Sequence, residues 1–346
     1  MEEKIKQMVV PLLDWYEKNK RILPWREKIP NPYHVWLSEV MLQQTRIEAV
    51  KKYYERFLMQ LPTIEDLAKV EEERLLKLWE GLGYYNRVRN LKKAAQMIVE
   101  KYDGKMPDKW EELQKLPGVG EYTAGAIGSI CFGLKVPAVD GNVLRVISRV
   151  IGSKENVLLP ETKRKVTKLL QDNMPEEAGK WNEALMELGE IICLPNGEPL
   201  CKQCPIQNIC KALKENEVNQ IPVRIKEQKR KIEEKTVFIV QHEDKVAIQK
   251  RADEGILAGM YEFPHVEGKK KEEEIASILK EWEIQNFILK EKRHGKHIFT
   301  HKQWNMVAYY IQVKEINTNW EWVTKKQLEE KYAMPTAFKK FPIELR

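Results

Sequence analysis

Four of the five cysteines, Cys193, Cys201, Cys204 and Cys210, fall within 18 residues at the spacing C-x7-C-x2-C-x5-C. Four thiols so close read as a metal or cluster site rather than as packing. Zinc and a [4Fe–4S] cluster both accept four cysteines, so spacing does not separate them. The fifth, Cys131, lies on the apolar stretch 127–134 and reads as a buried thiol. Two carboxylates stand out by their surroundings. Glu39 shares a helical stripe with Val35 and Leu42, while Trp36, Leu37, Val40, Met41, Leu42 and Ile47 spread around most of the helix. Desolvation pushes a carboxyl among such neighbours toward its neutral form, which a general acid near neutral pH requires. Asp140 precedes a helix starting near Gly141 and reads as its N-cap, kept ionised by the helix dipole. An ionised carboxylate suits a positive charge developing beside it. Finally, Leu116-Pro-Gly-Val-Gly120 lies between a short helix (110–115) and a longer one (121–133). Its glycines permit a tight turn. Backbone N–H groups of Gly118, Val119 and Gly120 at a helix N-terminus suit a phosphate oxygen.

The elements that must hold these groups divide by texture. Residues 2–19 form an amphipathic helix with Ile5, Met8, Val9, Leu12, Leu13 and Tyr16 at helical spacing, followed by the loop Arg21–Trp25. Asn31-Pro32 starts the next helix, Asn as cap and Pro in the first turn. Helix follows helix to about 211, with breaks at Pro62, Gly81 and Gly83, Gly104, Pro117–Gly120, Pro137, Pro160 and Pro175, so this half is expected to be all-α. Residues 212–235, charged, with Pro222 and the basic run Lys229–Lys231, read as a linker. Strand patterns follow at 236–241, 246–250, 297–301 and 306–313, the first two as a hairpin, with helices at 272–283 and near 325–332. This half is expected to be α+β.

A chain of 346 residues needs more than one core. Its net charge of +7 permits a polyanionic partner without requiring one. No apolar run is long enough to span a membrane, and the N-terminus lacks an export signal, so a reducing compartment is expected and disulfides are not.

Leu116–Gly125, then Val139-Asp140-Gly-Asn142-Val-Leu-Arg145, then the cysteine quartet resemble the helix-hairpin-helix DNA glycosylase superfamily in order and distance, over nearly all of residues 1–211. That resemblance implies a [4Fe–4S] cluster on Cys193, Cys201, Cys204 and Cys210. The first cysteine gap and the segment Trp25–Glu39 are each one residue longer than usual for the group. Endonuclease III-like members carry a Schiff-base lysine where this chain has Tyr122, and a phenol cannot form an imine. Val35-Trp-Leu-Ser-Glu-Val-Met-Leu-Gln-Gln-Thr45 is similar to the MutY signature almost letter for letter.

Membership of the MutY family implies a monofunctional adenine glycosylase acting on double-stranded DNA with adenine opposite 8-oxoguanine, working as a monomer in a bacterial-type cytoplasm at the nucleoid. By the same resemblance Glu39 protonates adenine N7, Asp140 stabilises or traps the sugar cation, and Tyr122 and Asn142 support it. Arg21, Trp25 and Glu183 line the adenine pocket, with Leu42 a further substrate-binding residue; Trp25 serves equally well as core. Gln44, Thr45, Leu82 and Tyr84 probe the opposite strand. Residues 236–346 resemble the Nudix-like domain appended to these enzymes, best at 252–264, but lack the acidic hydrolase box, so recognition rather than hydrolysis is expected. Phe299-Thr300-His301 stands where the family has Phe-Ser-His, a loop reading 8-oxoguanine. The architecture expected is therefore multidomain. A six-helix domain (28–132) precedes a cluster-binding helical domain (1–27 with 133–211), and the linker leads to the Nudix-like domain. The competing assignment is an endonuclease III-like pyrimidine-lesion or mismatch glycosylase.

Overall fold

The computed structural model describes residues 1–225, 230–316 and 318–343. Contacts divide it into two compact units, Met1–Lys69 with Arg89–Glu227 and Val70–Val88 with Gln228–Arg346.

The first unit is helical. It comprises α1 (Glu2–Asn19), α2 (Pro32–Leu42), α3 (Ile47–Gln60) and α4 (Ile64–Lys69). The helix α5 (Glu72–Leu78) belongs to the second unit, and α6 (Asn86–Tyr102) begins there and continues into the first. Then come α7 (Trp110–Lys115), α8 (Glu121–Phe132), α9 (Gly141–Ile151), α10 (Pro160–Gln171), α11 (Ala178–Ile191) and the short α12 (Lys211–Lys214). Asn31 caps α2 as its sequence promises, its side chain accepting from the Tyr33 N–H at 2.9 Å. Ile47, read from sequence as part of the same helix, instead opens α3 after a turn at 43–46. α11 packs on α1, α8 and α9, so it touches both helical subdivisions expected from sequence. Its Trp181, Leu185 and Leu188 join Ile5, Met8 and Leu12 of α1 and Val143 and Ile147 of α9 in one core. Gly125 makes the close fit of α8 possible: a Cβ there would meet the Pro137 carbonyl oxygen at 2.3 Å. That contact sets the strand-like segment leading to Asp140 directly against the hairpin helix.

The second unit is built on a seven-stranded sheet in the order β3-β2-β1-β6-β5, with β4 on β1 and β7 on β2. The strands are β1 (Lys231–His242), β2 (Lys245–Lys250), β3 (Tyr261–Glu262), β4 (His265–Glu267), β5 (Phe287–Ile298), β6 (Lys302–Val313) and β7 (Glu321–Thr324); α13 (Glu272–Glu281) and α14 (Lys325–Glu330) complete it. The expected β1–β2 hairpin is present, turning at Glu243-Asp244. Two features differ from the sequence reading. β1 pairs with β6 in parallel over eleven residue pairs, from Lys231↔Lys302 to Gln241↔Gln312. The strand expected at 297–301 starts at Phe287 and ends at Ile298, so Phe299–His301 is a turn and not a strand. Within the stretch read as a linker, Ala212 and Ile221 are buried and β1 begins at Lys231. Lys229 lies outside the described residues. Residues 70–88 join this unit through side chains: Glu73 pairs with Lys250 at 3.0 Å, and Lys77 donates to the Tyr332 carbonyl at 3.0 Å.

Candidate active site

A cleft of about 840 Å³ opens in the first unit between α1, the 20–30 loop, α2, α8, the start of α9 and α11. Glu39, Tyr122, Asp140, Asn142, Arg21, Trp25, Leu42, Gln44, Thr45 and Glu183 all line it, brought together from five separate segments.

Glu39 sits mid-helix on α2 and is only 7 % exposed. Its Oε2 accepts a 2.5 Å hydrogen bond from the Tyr122 hydroxyl, whose oxygen also lies 3.2 Å from Met186 Sδ. Burial lifts the Glu39 carboxyl to about 7; the Tyr122 bond pulls down and the Asp140 charge pushes up. At neutral pH a large fraction therefore holds a proton. Burial and the Glu39 charge hold the Tyr122 phenol well above its usual range, so it remains a donor.

Asp140 performs the capping expected of it. Its Oδ1 accepts from the Val143 N–H and its Oδ2 from Asn142 Nδ2, both at 2.8 Å. Burial raises this carboxyl too, opposed by those bonds and by Arg145. Donors and a helix N-terminus thus favour the anion at 140, while Glu39 has one phenol and an apolar helix. Asn142 is itself held by Arg145, whose Nη2 donates to Asn142 Oδ1 and to the Gly189 carbonyl at 2.8 Å each.

One side of the cleft was only half anticipated. Arg21 donates to Glu187 at 2.7 Å, and Arg26 bridges Glu187 at 2.9 Å and Glu183 at 3.2 Å. Burial would raise Glu187, but the two guanidiniums hold it down to about 2. Burial raises Glu183, with Arg26 opposing. Arg26 and Glu187 were missed by sequence reasoning, although Glu187 follows Glu183 by four residues and so shares its helix face. Trp25 is buried edge-on against Tyr54, ring centroids 5.3 Å apart, and still borders the cleft.

The hairpin turn lies outside the cleft. Gly118 has φ +77°, and a Cβ there would meet Asn90 at 2.8 Å. Gly120 caps α8. The Val119 N–H already bonds the Leu116 carbonyl at 3.0 Å, so this donor faces inward. The four clustered cysteines are free thiols. Arg149 Nη1 lies 3.2 Å from Cys193 Sγ, and Arg145 Nε donates to the Cys193 carbonyl at 2.8 Å. Burial pushes the thiols of Cys201, Cys204 and Cys210 up, Cys204 to about 12, and the neighbouring cysteines push the same way. Among the described residues no group of three or more His, Cys, Asp or Glu side chains is arranged around a single metal ion. Cys131, expected to be buried, is largely but not fully so near the end of α8, and burial pushes its thiol up to about 12.

The remaining expected site residues belong to the second unit. Gly81, Gly83 and Tyr84 all have positive φ, and Tyr84 is 47 % exposed. Leu82 is buried. Arg87 stacks on Trp79 and Tyr84 and donates to the Leu82 and Gly83 carbonyls at 3.1 Å, fixing this turn. The Tyr84 hydroxyl meets Thr300 Oγ1 at 2.9 Å. Phe299 is packed between His297 and Trp304, centroids 4.6 and 4.7 Å away, and its N–H bonds the Lys302 carbonyl at 2.8 Å. Thr300 and His301 project to solvent.

Comparison with known proteins places this geometry. Residues 37–176 match the HhH-GPD superfamily of base excision DNA repair proteins, and residues 236–342 match the NUDIX domain. The adenine DNA glycosylase of Schizosaccharomyces pombe is 32% identical over 392 residues, covering 92% of this chain and 85% of that one. The Arabidopsis thaliana adenine DNA glycosylase is 36% identical over 305 residues, covering 77% of this chain and 48% of that one. The chain thus spans about half the length of that plant relative. The solved structure of a thermostable thymine-DNA glycosylase superposes with TM-score 0.56 at 29% identity, covering 62% of this chain and 98% of that one. With a helix-hairpin-helix match, a NUDIX match and 85% of the Schizosaccharomyces pombe enzyme covered at 32% identity, the chain belongs to the adenine DNA glycosylase family.

Proposed function

We propose that the protein excises adenine mispaired with 8-oxoguanine or guanine in double-stranded DNA. The observation that carries this reading is a buried Glu39, titrating near 7, in one cleft with a donor-rich Asp140. The adenine must leave the stack to reach them. Glu39 then gives its proton to adenine N7 while Tyr122 holds Oε2. The C1′–N9 bond breaks, and its electron pair goes to the purine. Asp140, whose anionic form the Val143 N–H and Asn142 favour against burial, stabilises the positive sugar or bonds to it until water adds at C1′. The division of labour parallels a two-carboxylate glycosidase. Trp25, Leu42 and the Arg21–Glu187–Arg26–Glu183 group shape the base pocket. In the second unit, Tyr84 with Thr300, flanked by Leu82, Phe299 and His301, reads the oxidised base; Gln44 and Thr45 enter the opposite strand from the cleft side. Gly118 and Gly120 hold a phosphate at the hairpin.

We assign the four cysteines to a [4Fe–4S] cluster. Four cysteines with no disulfide among them, with a guanidinium against one sulfur, suit thiolate ligands spread around a cubane. When bound, the cluster would cross-link residues 193–210 through iron–thiolate bonds. A brown protein with iron and sulfide in equal amounts supports this; one tetrahedral zinc contradicts it. The activity is tested with a duplex holding adenine opposite 8-oxoguanine, incubated and then treated with alkali. Strand scission at the adenine is expected. A bound but intact duplex would contradict the reading, whereas release of thymine or an oxidised pyrimidine instead would favour the mismatch-glycosylase alternative.

A further inference from the structure

The second unit has a cavity away from the Phe299–His301 turn, and nothing in the function above uses it. It measures about 380 Å³ and lies on the sheet face covered by α13. Val307 and Asn305 of β6 line its floor beside the backbone of Met306, whose side chain packs on the opposite face, and Lys269, His294, Lys296 and Glu234 surround it. In the β5–β6 ladder His294 opposes Val307 and Lys296 opposes Asn305, so alternation puts both on one face. Lys292 shares that face, over the Tyr309 ring at 5.4 Å. The loop bearing Lys269 is pinned above them. Thr236 Oγ1 donates to the Gly268 carbonyl and accepts from the Lys270 N–H at 2.8 Å each, and the Tyr309 hydroxyl donates to the Lys270 carbonyl at 3.1 Å.

The charges do not cancel. Lys270 next door pairs with Glu274 at 3.5 Å, but Lys269, His294 and Lys296 make no side-chain ion pair among the described residues. The lining carboxylate, Glu234, already accepts from Asn305 Nδ2 at 2.7 Å. Two ammonium groups and an imidazole beside Val307 offer several donors to one oxyanion, and a single carboxylate, Glu234, is too few acid ligands for a divalent cation. β5 is a sheet edge, so the cavity opens sideways rather than into the core. Lys296 lies four residues before Thr300, roughly 13 Å along the strand. A DNA strand presents a phosphate about every 3.4 Å of its axis. A strand whose base is read at Thr300 therefore has phosphates within reach of Lys296.

We propose that Lys269, His294 and Lys296 form a phosphate-binding pocket that grips the DNA backbone a few nucleotides from the base read at the Phe299–His301 turn. This rests on the reading of the second unit as the one that meets the oxidised base. The pocket contributes affinity without sequence information.

The test uses the full chain and the double variant Lys269→Ala/Lys296→Ala, with Lys326→Ala as a surface control. Binding is followed over a salt series on an undamaged duplex and on one holding 8-oxoguanine opposite cytosine, neither of which is cut. The double variant is expected to flatten the dependence of log Kd on log salt by about 1, equally on both duplexes. Its adenine-release rate at saturating enzyme should match the parent, and the control should leave the slope unchanged. An unaltered slope in the double variant overturns the proposal. So does saturable perturbation of the His294 ring resonances by inorganic phosphate or dGMP without a slope change, which would make a free phosphate the occupant. If the parent releases no adenine yet the slope still flattens, the proposed activity fails and the pocket stands.

Discussion

Glu39 and Thr300 are both single side chains that the proposed chemistry depends on, yet they are held in opposite ways. Glu39 is enclosed in the middle of α2, and its usefulness comes from burial, which lifts its carboxyl to about 7. Thr300 stands exposed on a three-residue turn, and its usefulness would come from an accessible hydroxyl, already in contact with Tyr84. The first unit spends apolar packing on tuning a proton. The second unit uses a left-handed Tyr84 between permissive glycines, and an aromatic stack under Phe299, to aim donors outward. Catalysis and recognition should therefore respond to different substitutions.

The largest separation should come from Glu39→Gln. It keeps the shape and removes the transferable proton, so adenine release should fall by roughly 10²- to 10⁴-fold. DNA affinity should stay near that of the parent. Substantial residual activity would place the acid elsewhere.

Next is the stability of the cleft wall. The Glu187 carboxyl, its side chain 1% exposed, is held at about 2 by Arg21 and Arg26. A depressed acid contributes stability that is full above its unfolded value, near 4.3, and is lost as pH falls toward 2. The contribution at neutral pH is on the order of 3 kcal/mol. Urea melts of Glu187→Gln against the parent should show that gap at pH 7 and lose most of it near pH 2.5. A gap independent of pH would mean the arginines do not act through charge.

The smallest effect concerns the reading turn. Thr300→Val removes the hydroxyl and keeps the branching. The ratio of kcat/KM for adenine opposite 8-oxoguanine over adenine opposite guanine should drop by about tenfold, with the guanine value nearly unchanged. A proportional loss on both duplexes would show Thr300 to be a general DNA contact, blurring the division between the units.

These two regions also differ in how far the amino-acid order reveals them. The cleft was readable because its signals are local: Asn31-Pro32 and Asp140 are caps that form as their chemistry dictates, and a carboxyl on an apolar helix announces its own desolvation. Glu187 and Arg26 escaped because an ion pair spanning more than 150 residues has no local mark, although the four-residue step from Glu183 was a usable clue. In the second unit the parallel pairing of β1 with β6 depends on two segments some seventy residues apart. β5 was seen only at its end because it is an edge strand with a run of four consecutive charges, Lys290–Arg293, that breaks any apolar period. Nothing in residues 70–88 says which unit they join; Glu73 and Lys77 find their partners far down the chain.

The central claim is that a buried, protonated Glu39 supplies the proton. Single-turnover adenine release measured across pH on the 8-oxoguanine duplex tests it directly. Because burial raises this carboxyl, the neutral form is present below about 7 and lost above it, so the rate should fall through that region. Tyr122→Phe, which removes a bond that lowers the carboxyl, should move the fall to higher pH. A rate that stays level from pH 6 to well above 8, in both parent and variant, would contradict the account.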